Sequence, residues 1–219
     1  MEEVRFLDEK KAKEAVEKLE KVYPDTKYYL NFSGPLQLLV AAILSAQTRD
    51  VVVNKLTPVL FKKYSTVEDF AELKESELIP AIKSVTFAEN KAKNIIAACK
   101  LIREKYSGKV PDRMDDLLSL PGVGRKTANT ILINAFGIVG GIPVDTWVIK
   151  LSYRIGLSRS GKPDDIEKDL MKIVDRKHWK NIAYILKAHG HGICHSTVPL
   201  CSKCVIKDLC PKNGVKERG

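Results

Sequence analysis

An all-α fold is predicted by three features of the 219-residue sequence. Apolar residues recur at helical spacing, segments with strand-like alternation are scarce, and a 44% apolar content fills a core without disulfide staples. Ala12 to Val22 reads as the first helix, and Leu36 to Gln47, nearly all apolar, as a central buried one. Val51 to Tyr64 follows a capping Asp50. Pro58 inside it would cost about 3 kcal/mol in an interior turn, so two pieces with a break near Thr57 are expected. Glu68 to Leu73 follows the start signal Ser65-Thr66. Ala92, Ile95, Ile96, Cys99, Ile102 and Tyr106 line one face of a longer helix, where Cys99 reads as a small core residue. Met114 to Leu118 and Lys126 to Phe136 are helices on either side of a turn. Phe136 to Val144 carries three glycines and a proline, a loop and domain junction. Thr146 to Ile155, Asp164 to Arg176 and Trp179 to His189 follow, before a cysteine-rich end with little periodicity.

The formal net charge is +10, and most of the excess lies behind residue 149. Such a surface points to a phosphate-bearing partner, the alternative being a solvated lysine-rich face. The longest apolar run, Leu38 to Leu44, is far short of a membrane span, and Met1 to Lys21 reads as charged helix rather than signal peptide. A soluble, intracellular, monomeric protein with no membrane partner is expected, cytoplasmic or nucleoid-associated. Glutamine occurs only at Gln37 and Gln47 in a chain with 29% charged residues, a bias found in proteins from hot environments.

Leu120-Pro121-Gly122-Val123-Gly124-Arg125-Lys126-Thr127-Ala128 joins two helices through a Gly-x-Gly turn. Glycines there let backbone N–H groups face outward, and the helix N-terminus behind them adds roughly half a positive charge, a cradle for a DNA phosphate that reads no sequence. The alternative is a helix–turn–helix corner with glycines for close packing. Lys126 separates a binder from an enzyme. As a plain phosphate contact it stays charged, whereas a nucleophilic lysine must be neutral, and partial burial at the positive end of a helix pushes its pKa down. Pro143-Val144-Asp145-Thr146 places a carboxylate before an apolar helix. Asp145 reads as an N-cap, and beside a lysine nucleophile it would also stabilise positive charge developing on a sugar carbon.

Five cysteines, an odd number, do not suit a disulfide framework. Cys194, Cys201, Cys204 and Cys210 are spaced 6-2-5, so loops must wrap one centre. One Cys-x2-Cys knuckle favours a [4Fe–4S] cluster over zinc, although His189, His191 and His195 keep zinc open.

Taken together, the Leu120–Asn129 segment, Val144-Asp145-Thr146 and the cysteine spacing resemble the endonuclease III family of DNA glycosylases. Ile43-Leu44-Ser45-Ala46-Gln47, Asn54-Lys55 and Ile206-x2-Leu209-Cys210 extend the resemblance over nearly the whole chain. It implies a two-lobed helix-hairpin-helix glycosylase fold, with a six-helix domain over residues 28–138. Residues 1–27 and 139–219 would form the second lobe, with the cluster loop at 194–210. DNA would lie in the groove between the lobes. The implied activity is base excision repair by a bifunctional glycosylase/AP lyase that removes oxidised pyrimidines from double-stranded DNA or cleaves at abasic sites. Lys126 would attack C1′, Asp145 would assist, and a Schiff base would lead to β-elimination. Gly122, Val123, Gly124 and Arg125 would hold the backbone, Gln47 would fill the hole left by the extruded base, and Phe87 would stand in for a leucine wedge. Trp147 in place of a histidine, the divergent segment Thr86 to Asn90 including Ala88, and Pro58 depart from the family pattern and bear on lesion preference. A monofunctional mismatch glycosylase and a non-catalytic DNA-binding module are the alternatives, and Lys126 argues against both.

Overall fold

A computed structural model describes residues 4–216 and Gly219, and among them all regular structure is helical. Asp8 opens α1 (Glu9–Val22) by accepting from the Lys11 amide, and the helix buries Ala12, Ala15, Val16 and Leu19 along one face. α2 (Pro35–Ser45) starts on proline, which needs no amide partner at that position, and buries every residue from Leu38 to Leu44. It stops two residues before the predicted end, because Ala46 leaves the helix with ψ 118° and Gln47 after it is left-handed with φ 53°.

α3 (Asp50–Lys63) is one continuous helix, not two pieces. Pro58 lies on its exposed face, where water can meet the carbonyl left without an amide, while Val53, Thr57 and Leu60 anchor the opposite face. Arg49 is its N-cap, and Asp50 stands in the first turn instead of capping. A reciprocal capping box opens α4 (Val67–Glu72): the Asp69 amide donates to Thr66 Oγ1, and the Thr66 and Ser65 amides donate to Asp69. α5 (Glu75–Ala81) is announced by no periodicity, and Glu77 fixes its start by accepting from the Lys74 amide. α6 (Ala88–Lys105) buries Ala92, Ile95, Ile96, Cys99 and Ile102 as their spacing predicts. α7 (Met114–Leu118) and α8 (Arg125–Ile131) flank the glycine turn, and α8 widens into a π-helical turn, Leu132–Phe136.

α9 (Thr146–Ile155) and α10 (Pro163–Ile173) follow. α10 ends before the predicted Arg176, because Val174 turns extended and Arg176–His178 form a separate 3-10 turn. α11 (Trp179–Gly192) runs three residues beyond its predicted end.

The chain divides into two compact units. One is Tyr29–Gly140 and holds α2–α8, seven helical segments where six are expected, α5 being the addition. The other ends at Tyr28 and resumes at Gly141; Ala15, Leu19, Val148, Leu151, Leu170 and Ile182 lie in its core. No helix among the described residues is long and apolar enough to cross a membrane.

Candidate functional site

Within Tyr29–Gly140, the turn between α7 and α8 uses its two glycines differently. Gly122 is left-handed (φ 81°), and a Cβ there would fall 3.0 Å from Asn94 Cβ on α6. Gly124 is extended with open space around it, so a side chain there would meet nothing of the protein and would obstruct only an incoming ligand. Val123 and Leu120 are buried and pin the turn from beneath, while Gly122, Gly124 and Arg125 are exposed. No side chain caps α8, whose N-cap is Gly124. Lys126 sits in the first turn of α8, half-buried, and its Nζ donates to the Tyr29 hydroxyl at 3.4 Å. No local pattern singles out Tyr29, which lies 97 residues away.

Gln47 and Phe87 occupy a second surface of the same unit. Both are exposed and left-handed, with φ 53° and 52°. Beneath them Lys91 is 5% exposed, and burial without a carboxylate partner pushes its ammonium down to about 8. A lysine in register with Ile95, Cys99 and Ile102 on an apolar helix face was the available signal for it.

In the other unit, Asp145 caps α9 by accepting from the Trp147 and Val148 amides, both at 2.9 Å and both through Oδ1. Oδ2 takes no part in the cap. Trp147 lies so close to α11 that a Cβ on Gly190 would fall 2.3 Å from its ring. The ring also packs on His191 at 4.7 Å between centroids and receives Lys150 Nζ at 5.5 Å.

Cys194, Cys201, Cys204 and Cys210 line one small cavity of about 20 Å³ with Arg154 and Ile206. No three Cys, His, Asp or Glu side chains among the described residues are gathered as a single ion requires. Burial pushes the Cys194 and Cys204 thiols up, and that of Cys210 to about 11. Arg154 is buried and donates to Cys194 Sγ (3.5 Å) and to the carbonyls of Cys194, His195 and Ser196, which orders the cysteine loop. His189 is buried as well, its Nδ1 3.1 Å from the Tyr23 hydroxyl and its Nε2 3.5 Å from Cys204 Sγ. The fifth cysteine, Cys99, is a core residue of the other unit with its thiol pushed up to about 12 by burial.

Over residues 40–176 the chain matches the HhH-GPD superfamily of base excision DNA repair proteins. It is 47% identical over 193 residues to endonuclease III of Synechocystis sp., covering 88% of each chain. Endonuclease III of Bacillus subtilis is 38% identical over 214 residues, 97% of each chain. Among solved structures, a trapped endonuclease III–DNA covalent intermediate is similar with a TM-score of 0.91 at 38% identity, over 94% of this chain and 97% of that one. A thermostable thymine-DNA glycosylase shares the fold, with a TM-score of 0.83 at 23% identity over 93% and 96% of the two chains. The chain belongs to the endonuclease III family of the HhH-GPD superfamily, as its hairpin and cysteine motifs lead one to expect.

Proposed function

We propose that this protein is a bifunctional DNA glycosylase and AP lyase of base excision repair, acting on double-stranded DNA that carries an oxidised pyrimidine or an abasic site. The observation that carries this reading is Lys126, half-buried in the first turn of α8 directly behind the glycine turn. Amides of Gly122, Gly124 and Arg125 grip a phosphate, whereas the Val123 amide, against expectation, is spent on the Leu120 carbonyl inside the turn; a base leaves the stack, at a cost of a few kcal/mol that is smallest for damaged pairs. Phe87 enters the stack as a wedge and Gln47 fills the hole left by the base. The neutral Lys126 amine attacks C1′, the C1′–N bond breaks, and the base leaves with its electron pair and a proton. Asp145 stabilises the developing positive charge through the carboxylate oxygen that is not capping α9, and relays the proton lost by the lysine nitrogen to the departing base. The C1′–O4′ bond then opens, O4′ taking up a proton, to leave an iminium; this loses a C2′ proton, the 3′ phosphate departs, and water hydrolyses the imine to restore the amine. The protein would work as a monomer on DNA inside the cell.

Cys194, Cys201, Cys204 and Cys210 would hold a [4Fe–4S] cluster. An all-sulfur donor set around one cavity fits a cube better than a single ion, and the buried Arg154 guanidinium suits a net negative group. When bound, the cluster cross-links the C-terminal loop and holds its basic side chains in place.

Incubation with DNA carrying an abasic site, in the presence of borohydride, tests the assignment. The protein is expected to form a trapped covalent complex, and Lys126→Gln is expected to bind the same DNA without trapping or strand cleavage. Base release that persists in Lys126→Gln would make water the nucleophile and the enzyme a monofunctional glycosylase.

A further inference from the structure

The buried ammonium of Lys91 has only oxygens of two turns for partners. It donates to Leu44 O (2.8 Å) in the last turn of α2 and to Ala46 O (2.6 Å) and Thr48 Oγ1 (2.9 Å) just after it, and lies 3.4 Å from Thr86 Oγ1 on the turn before α6. Three N–H groups thus match three short contacts. The two turns are also joined directly. Thr48 Oγ1 and Thr86 Oγ1 are 2.7 Å apart, the Thr86 amide donates to Thr48 Oγ1 at 3.2 Å, and the Thr86 hydroxyl donates to Gln47 O at 2.9 Å. One proton arrangement satisfies the set: the Thr86 hydroxyl points at Gln47 O, and the Thr48 hydroxyl points at Thr86 Oγ1.

Each turn carries a left-handed, side-chain-bearing residue, Gln47 in one and Phe87 in the other. That conformation is unfavourable outside glycine and persists only where the surroundings over-determine it. Here the over-determining group is the lysine-centred network. Nothing folds over the residues it holds: Phe87 is 62% exposed, so an apolar ring faces solvent at the end of a rigid, hydrogen-bonded support. Lys91 itself, enclosed and fully engaged, is no rival to Lys126 as the nucleophile.

We infer that Lys91 is a positioning residue, latching the Leu44–Thr48 turn to the Thr86–Phe87 turn so that Gln47 and Phe87 are presented together, already in the conformation in which they enter a duplex. This rests on the reading of Gln47 and Phe87 as the inserted residues. The latch removes the ordering of two turns from the binding step, and it matters only where a second strand has to be parted from the first.

The experiment compares abasic DNA as a duplex and as a single strand, with 2-aminopurine opposite the abasic position in the duplex to report unstacking. Lys91→Met keeps the chain length and removes every donor. Thr86→Val keeps the shape of an exposed side chain and removes the hydroxyl, which makes it safe for folding; Thr86→Ser restores the hydroxyl. Lys91→Met and Thr86→Val are expected to lose most of the fluorescence rise and about tenfold in strand cleavage on the duplex, with single-strand cleavage unchanged and Thr86→Ser close to the parent. If Thr86→Val keeps the parent's duplex to single-strand ratio while Gln47→Ala and Phe87→Ala lower it, the latch is refuted and the insertion reading stands. An equal fall on both substrates would also overturn the latch, reducing it to general stability. If Gln47→Ala and Phe87→Ala change neither fluorescence nor ratio, the insertion reading fails and takes this inference with it. Should Lys91→Met not fold, the Thr86 pair decides.

Discussion

Asp145 commits Oδ1 to two amides and leaves Oδ2 outside the cap, so the proposed mechanism assigns capping and chemistry to different atoms of one carboxylate. Asp145→Asn keeps a capping oxygen and removes the charge. Single-turnover base release is expected to fall by about 10²-fold or more while the melting temperature barely moves. Asp145→Ala should in addition lose about 1 kcal/mol of stability in urea. The glycine turn divides in a similar way. Gly124→Val is expected to weaken DNA binding in a protein with an unaltered circular dichroism melt, whereas Gly122→Val should melt earlier, because it strains a left-handed residue and drives a side chain into Asn94. The place of Lys126 behind the glycine turn and the capping by Asp145 were legible in the sequence because each belongs to a short motif whose local geometry follows from its own residues. The Tyr29 hydroxyl beside Lys126 was not, since that contact is made by tertiary folding across 97 residues.

Helices were read correctly where periodicity and burial agree, as in α6, and wrongly where a local penalty is outweighed by packing. Pro58 removes a helix hydrogen bond, yet α3 runs through it because water can meet the orphaned carbonyl and Val53, Thr57 and Leu60 are held from the other side. α5 is too short for periodicity to show, and its capping by Glu77 is a contact no spacing rule singles out in a chain this rich in acids. The meeting of α9 and α11 was equally invisible, because glycine at 190 marks a close approach only once the Trp147 ring is seen lying on it. Gly190→Ala is expected to destabilise the protein by about 1–3 kcal/mol in urea unfolding, since a methyl group must displace the ring. The capping box of α4 makes a prediction in pH. Asp69 is held below the usual aspartate range, chiefly by the Ser65 amide and then by Thr66. A lowered carboxylate contributes stability above its unfolded value and loses it as pH falls through the folded one. Melts of the protein and of Asp69→Ala should therefore differ at neutral pH and converge in acid below the carboxylate range.

At the scale of the whole chain, the net charge of +10 and the cysteine end make separate demands. Affinity for undamaged duplex is expected to fall steeply with salt and to be nearly indifferent to sequence, as filter or fluorescence titrations at several salt concentrations would record. Iron analysis of anaerobically purified protein should find about four irons per chain with broad absorption near roughly 400 nm. Cys204→Ser should lose both, and Cys99→Ser should keep both, because Cys99 is a core residue of the other unit. The discontinuous unit has a further consequence, in the order of synthesis. α1 is made ahead of α2–α9, and its apolar face of Ala12, Ala15, Val16 and Leu19 is covered by α10 and α11, which follow them. Tyr29–Gly140 is contiguous and has all its own helices in hand while α1 still waits. During translation α1 is thus left longer without its partners than any helix of Tyr29–Gly140. The i,i+4 pairs Glu9–Lys13 and Glu14–Lys18 of α1 favour its helical form without tertiary partners, which is what such a wait demands.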